Sequence, residues 1–286
     1  MTLPWGHTLG HLGQNLYNRL HKIVVLVFHY GFPGLAHRRN LRKTKNIEVE
    51  IGLLSVIVDP TREAIDVGAN IGHYAEQLAI LTPHVYAFEP HPRLAHLLSA
   101  FPRNKVTVRQ VALSDVSGKS VYLKVPKFEG VEGEGLASID DHQSFEVFRK
   151  IRVQTATLDE LADRNIGFVK IDVEGHELNV LSGAQRLIAK QRPMFLVEAE
   201  ERHHAGATKR LFAFFAERNY RGVFVSGQSL LPVESFVPAM QNAAVLRNDV
   251  PRKGFDYPNN FLFVPAERWS EKLQEKIQQR LLSVSR

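Results

Sequence analysis

From about residue 62 onward, short apolar runs alternate with segments whose apolar residues recur every three or four positions. No other feature of this chain constrains its fold as strongly. A strand separated from the next by a helix cannot close a tight hairpin, so it pairs in parallel, and the intervening helices cover both faces of the sheet. The runs at 64–67, 85–89, 105–113, 168–172 and 193–198 read as strands. The helical period follows through Tyr74, Leu78 and Leu81, then through Leu94, Leu97, Leu98 and Phe101, and over 178–189 and 208–218. Residues 121–125 and 151–155 alternate as hairpin strands do, and 220–225 and 260–264 supply two late strands. Thr157 with Glu160 forms a capping box that opens a short helix. The expected fold is α/β, Rossmann-like, with a mostly parallel sheet and helices on both faces.

Charge divides the chain. Residues 1–45 hold seven basic side chains (Arg19, Lys22, Arg38, Arg39, Arg42, Lys43, Lys45) and no acid, so the net +6 belongs to this arm and the rest is near neutral. A nucleic-acid enzyme is more often basic over its working surface, so no nucleic-acid partner is expected. Leu9, Leu12, Leu16, Leu20, Ile23, Val24 and Val27 share one helical face in the arm, and Gly31, Pro33 and Gly34 end it. Two readings of residues 9–45 stand side by side: a helix packed on the body, and a peripheral contact with an anionic membrane. The apolar run from Ile23 to Phe28 is far short of a membrane span. No secretory signal is read at the N-terminus, so the expected location is cytoplasmic, on the inner face of a membrane if the arm binds lipid. The division read here is a basic amphipathic arm at 1–45, one catalytic domain at 46–265, and a C-terminal amphipathic helix at 266–286 carrying Trp269, Leu273, Ile277 and Leu281. The absence of cysteine excludes disulfides, thiolate metal sites and a cysteine nucleophile.

Parallel α/β sheets bind ligands beyond the carboxyl ends of their strands, where the strand order reverses. The residues at those ends therefore carry the chemistry. Asp66 closes the first strand and leads into Gly68, Asn70 and Gly72. Asn70 stands where a dinucleotide fingerprint needs its second glycine, so the loop suits a ligand without a diphosphate. Glu89 ends the second strand, 23 residues after Asp66, where a carboxylate can accept bonds from both hydroxyls of a ribose. Asp115 follows the third strand and can accept a bond from an adenine amine. The densest cluster is Asp172, Glu174, His176 and Glu177, at a strand-to-helix junction. Asp172, Glu174 and His176 are the candidates for catalysis. No set of His, Asp and Glu has a spacing that compels a metal site.

The segments at 64–72, 88–90, 112–115, 157–161, 170–177, 180–184 and 195–198 together resemble, in order, the motif series of the FkbM family of methyltransferases. The resemblance implies a class I fold that uses S-adenosylmethionine and mostly methylates hydroxyls, often of sugars or small metabolites. It places Gly68, Asn70 and Gly72 against the amino-acid part of that cofactor, Glu89 on its ribose and Asp115 near its adenine, with Asp66 and Asp172 in the same site. The expected acceptor is a small molecule or a glycan. Two rival readings belong to other classes. An NAD(P)-dependent oxidoreductase lacks support, because both the middle glycine and a Tyr-x-x-x-Lys pair are missing. A catalytically inactive nucleotide-binding module would not need its strand-end acids intact.

Overall fold

The computed structural model describes residues 48–128, 131–133, 136–139, 148–247, 250–251 and 255–284. The arm assigned to 1–45 lies outside the described residues. In chain order the elements are α1 (Val49–Ile57), β1 (Glu63–Val67), α2 (His73–Leu81), β2 (Val85–Phe88), α3 (Pro92–Leu98), β3 (Val106–Arg109) and β4 (Ala112–Leu113). There follow β5 (Ser120–Phe128), β6 (Val131–Glu132), β7 (Phe148–Ala156), a 3-10 turn (Leu158–Leu161), β8 (Ile166–Ile171), α4 (Glu177–Ser182), α5 (Gln185–Gln191) and β9 (Met194–Glu198). The chain closes with α6 (Ala207–Ala216), β10 (Tyr220–Ser226), β11 (Ser229–Pro232), β12 (Leu246–Arg247), β13 (Val250–Pro251), β14 (Asn260–Pro265) and α7 (Glu271–Val284).

Eight strands form one sheet in the order β11-β10-β14-β9-β8-β1-β2-β3. The run from β9 to β3 is parallel, and β14, β10 and β11 extend it by antiparallel pairing. The chain enters at β1, moves outward to β2 and β3, and resumes on the other side at β8. The strand order therefore reverses between β1 and β8, and their carboxyl ends open the crevice. Apolar side chains alternate to the two faces. Val67, Val169 and Ile171 meet α4, α5 and α6 through Val180, Leu187, Leu211 and Phe215. Ala64, Phe168 and Leu196 meet α1, α2 and α7 through Leu54, Leu78, Ile277 and Leu281.

Two expectations need correction. The span 105–113 is not one strand. It splits after Arg109, and Ala112–Leu113 leaves the main sheet to pair in parallel with β7. The β5–β7 hairpin is thereby tied beside the crevice as a second small sheet, with Leu123, Val125 and Val153 packed on Ala112. The helix read over 178–189 is two helices, broken between Ser182 and Gln185. Gly183 at the break lies so close to the Ser114 carbonyl that an added Cβ would stand 2.2 Å from that oxygen. The helix α1 and the edge strand β11 add to the elements expected from the sequence.

Candidate active site

The glycine loop after β1 is shaped by backbone contacts. The Gly68 and Ala69 amides both donate to the Phe88 carbonyl, at 2.9 and 3.0 Å, so the loop is pinned to the end of β2. Gly68 has φ +75°, and a Cβ there would fall 1.7 Å from the Asp172 carbonyl oxygen. Only glycine permits this approach of the β1 and β8 loops. Asn70, at φ +49°, turns its amide toward Glu89. Gly72 (φ +90°) faces Leu98 and Phe101, so its glycine requirement comes from helix packing, and it lines neither cavity of the crevice.

Glu89 is 5% exposed. Its two carboxylate oxygens accept from the Asn70 and His91 amides, each at 2.8 Å. Each oxygen keeps a second lone pair for a ligand. Burial pushes this carboxyl up to about 7, against the pull of the two amides. Glu89 lines a cavity of about 590 Å³ of empty space, its open mouth included, together with Asn70, Leu113, Leu123, Asp172, Glu174 and His176. Ala137, Ser138 and Ile139 form part of the wall. His176 is buried and its Nε2 lies 2.9 Å from the Ser114 hydroxyl. Asp115 is exposed, receives the Ser114 hydroxyl at 2.9 Å and is not part of this lining.

A second cavity shares Gly68, Asn70 and Asp172 with the first and continues to Asp66, His73, Tyr74, Lys170 and Glu48. Asp66 and Lys170 are register partners on neighbouring parallel strands, so both side chains enter the same face. Lys170 is 1% exposed. Its ammonium donates to Asn260 Oδ1 at 2.8 Å, lies 3.8 Å from Glu198 and sits 4.9 Å over the Tyr74 ring. Glu48 Oε2 receives the Tyr74 hydroxyl at 2.6 Å and the Asn260 amide at 3.1 Å, and Asn259 donates to Glu198 at 2.8 Å. Burial opposes the charge on Lys170, yet Asp172, Glu48, Glu198 and Asp66 outweigh it and hold the ammonium above its ordinary range. Burial likewise pushes Asp66 and Asp172 up to about 7, with Lys170 pulling both back. It raises Glu198 well above the carboxylate range, with Asp172 adding to the effect.

Of the site residues expected from the sequence, the fold brings Asp66, Glu89, Asp172, Glu174 and His176 to the crevice. Glu48 and Asn260 are not among those expectations, nor is the role of Lys170 as the cation between the acids. Lys170 carried a signal, because a lysine inside an apolar strand run must find buried acids. His203 is a further addition, with its Nε2 3.0 Å from Glu174 Oε2. Among the described residues, no group of His, Asp and Glu is arranged to hold a metal ion, and no helix is long and apolar enough to cross a membrane.

The known proteins that this chain resembles are methyltransferases. A curated relative, the 2-O-methyltransferase NoeI of Sinorhizobium fredii, is 23% identical over 187 residues, covering 58% of this chain and 74% of the relative. Among solved structures, a methyltransferase FkbM from Methylobacillus flagellatus is similar at 17% identity and TM-score 0.44, over 71% of this chain and 44% of that one. The chain thus spans less than half the length of that protein. A magnesium protoporphyrin IX methyltransferase from Synechocystis, with 12% identity and TM-score 0.41, is covered over 95% of its length by 85% of this chain. The methyltransferase FkbM domain model matches residues 66–221, which run from the buried Asp66 through the glycine loop, Glu89 and the Asp172 cluster to the start of β10. A match across more than half of the chain, centred on these strand ends, means that the protein is a methyltransferase of the FkbM family.

Proposed function

We propose that the protein transfers a methyl group from S-adenosylmethionine to a hydroxyl of a sugar, glycan or small metabolite. The observation that carries this reading is Glu89, a buried carboxylate clasped by two backbone amides, with lone pairs left toward a cavity that also holds Asp172. A ribose diol matches such an acceptor, because one carboxylate can receive both hydroxyls.

The residues of the second cavity fit the amino-acid end of the same cofactor. Asp66 Oδ2 and His73 Nε2 are buried atoms with no hydrogen-bond partner in the ligand-free chain. A buried polar atom without a partner is costly, and a ligand ammonium would satisfy the Asp66 oxygen. The N-terminus of α2 beside them suits a carboxylate. When bound, S-adenosylmethionine supplies an electrophilic methyl group on a sulfonium centre.

Asp172 lies where the two cavities meet. An alcohol is a weak nucleophile near neutral pH, so its proton must leave as the new bond forms. A carboxylate that titrates at about 7 is well matched to take that proton, and Asp172 is held there by burial against the pull of Lys170. Glu174 and His176 line the same wall and contribute to holding the acceptor. The name of the NoeI relative supports a hydroxyl acceptor, although at 23% identity it does not carry the substrate over.

The test is a labelled-methyl transfer screen against glycans and small hydroxylated compounds, run with wild type and Asp172→Asn. Wild type should transfer label to at least one hydroxyl acceptor, and the variant, saturated with cofactor, should turn over at least about tenfold more slowly. Turnover within a factor of two would remove Asp172 as the proton acceptor.

A further inference from the structure

Beyond the strand-end acids, the loop after β9 places a second charged cluster against the Asp172 loop. Glu174 lies two residues past Asp172, at φ +53°, followed by Gly175 at φ +100°. Two successive left-handed residues, the first with a side chain, are a strained arrangement that needs outside support. The support comes from the neighbouring strand's loop. His203 Nε2 lies 3.0 Å from Glu174 Oε2, and both side chains are only 11% exposed. At 3.0 Å the two groups form a shielded pair, and burial strengthens the attraction between them.

The other charges near His203 are already engaged. Glu200, 3.9 Å from the ring, takes two bonds from Arg202, at 2.7 and 2.8 Å, and the Tyr257 hydroxyl as well. Glu177, at the start of α4, accepts the Gly175 amide at 2.8 Å, and burial lifts it to about 7. Glu174 is therefore the anion whose charge His203 chiefly balances. Asp172 in turn feels Lys170, Glu174, Glu48, Glu177 and Glu198.

We infer that His203 is a positioning residue for methyl transfer: its imidazolium holds the strained Glu174 carboxylate at the crevice wall and offsets that carboxylate's field on Asp172. The inference rests on the proposed hydroxyl methylation only for the use made of Asp172. The charge relay itself is a property of the ligand-free protein. Burial works against a charged His203, yet Glu174 and Glu200 raise its proton affinity above the ordinary histidine range, in keeping with an imidazolium there. Removing that positive charge leaves one more uncompensated anion beside Asp172, so the last proton leaves the carboxylate pair at higher pH.

The experiment is a pH titration of full-length protein labelled with ¹³C at aspartate carboxyls, with the Asp172 signal assigned by Asp172→Asn. Wild type, His203→Gln and His203→Arg are compared. In His203→Gln the Asp172 midpoint should move to higher pH by about half a unit or more, and in His203→Arg it should return toward wild type because the charge is restored. The acid limb of kcat/KM should move in the same direction. An Asp172 midpoint that is unchanged in folded His203→Gln overturns the inference, whatever the activity. So does a midpoint that shifts equally in the Gln and Arg variants, since that marks a purely structural role. A shifted midpoint with no methyl transfer in any variant would leave the relay standing and defeat the hydroxyl-methylation reading instead.

Discussion

The crevice has two flanks, and they are built differently. On the β2 flank, Glu89 is held by two backbone amides, from residues 19 positions before it and two after it. On the β8 flank, Asp172 stands in a web of side chains drawn from the whole chain. Lys170 reaches Asn260, 90 positions away, and Asn260 reaches Glu48, 212 positions away. The first flank is local geometry with one buried acid. The second is a charge balance in which one ammonium offsets Asp66, Asp172, Glu198 and Glu48. A backbone clasp fixes one carboxylate in place through two short contacts. A buried ionic web sets proton affinities, but it fails as a unit when one member is removed.

The sharpest way to break this contrast is Lys170→Met. It leaves several buried carboxyls without their cation, and the loss of stability should be about 3–5 kcal/mol. The sign with pH follows from the carboxyls. Burial holds Asp66 and Asp172 at about 7, and loss of Lys170 removes a pull that lowers both. The folded variant then keeps protons that the unfolded chain releases, so its deficit should be small near pH 5 and grow toward pH 8. Denaturant unfolding at the two pH values measures this. A deficit equal at both would mean that the web acts by packing and not by charge.

Glu89→Ala should act first on binding, and it also leaves the Asn70 and His91 amides without their acceptor, at a cost of about 1–3 kcal/mol in stability. Loss of a charged hydrogen-bond partner predicts S-adenosylmethionine affinity weaker by about 1.5–3 kcal/mol, read by calorimetric titration. An unchanged affinity in the folded variant would place the ribose elsewhere. The smallest effect belongs to a device wholly local in sequence. Thr157 and Glu160 form a reciprocal capping box at the 3-10 turn below the crevice. Thr157→Ala should cost about 1 kcal/mol in thermal or denaturant unfolding, with cofactor affinity unchanged. A cost like that of Lys170→Met would erase the distinction between local and long-range construction.

Much of the β2 flank is legible in the sequence. A glycine loop after an apolar strand and a carboxylate at the end of the next strand are short-range patterns, and the α/β alternation fixes their relative placement. Asp172 and Glu174 are legible for the same reason. The single strand read over 105–113 fails because its apolar residues continue across the point where the chain passes from one sheet to another, and side-chain pattern does not report which partner a strand chooses. The helix read over 178–189 is interrupted at Gly183, which sits against the Ser114 carbonyl, a contact between segments far apart in the chain.

By itself, then, the sequence determined the parallel α/β architecture, the loops that end its strands, and the acids that stand there, because strand and helix periods, turns and caps depend on near neighbours. The tertiary structure alone decided which charges meet. Register sets Asp66 beside Lys170, antiparallel pairing sets Asn260 beside Glu198, and the loop after β9 sets His203 against Glu174. Those contacts join residues far apart in the chain, and a proton's affinity for a buried carboxyl depends on every charge within a few ångströms, whatever its distance in sequence.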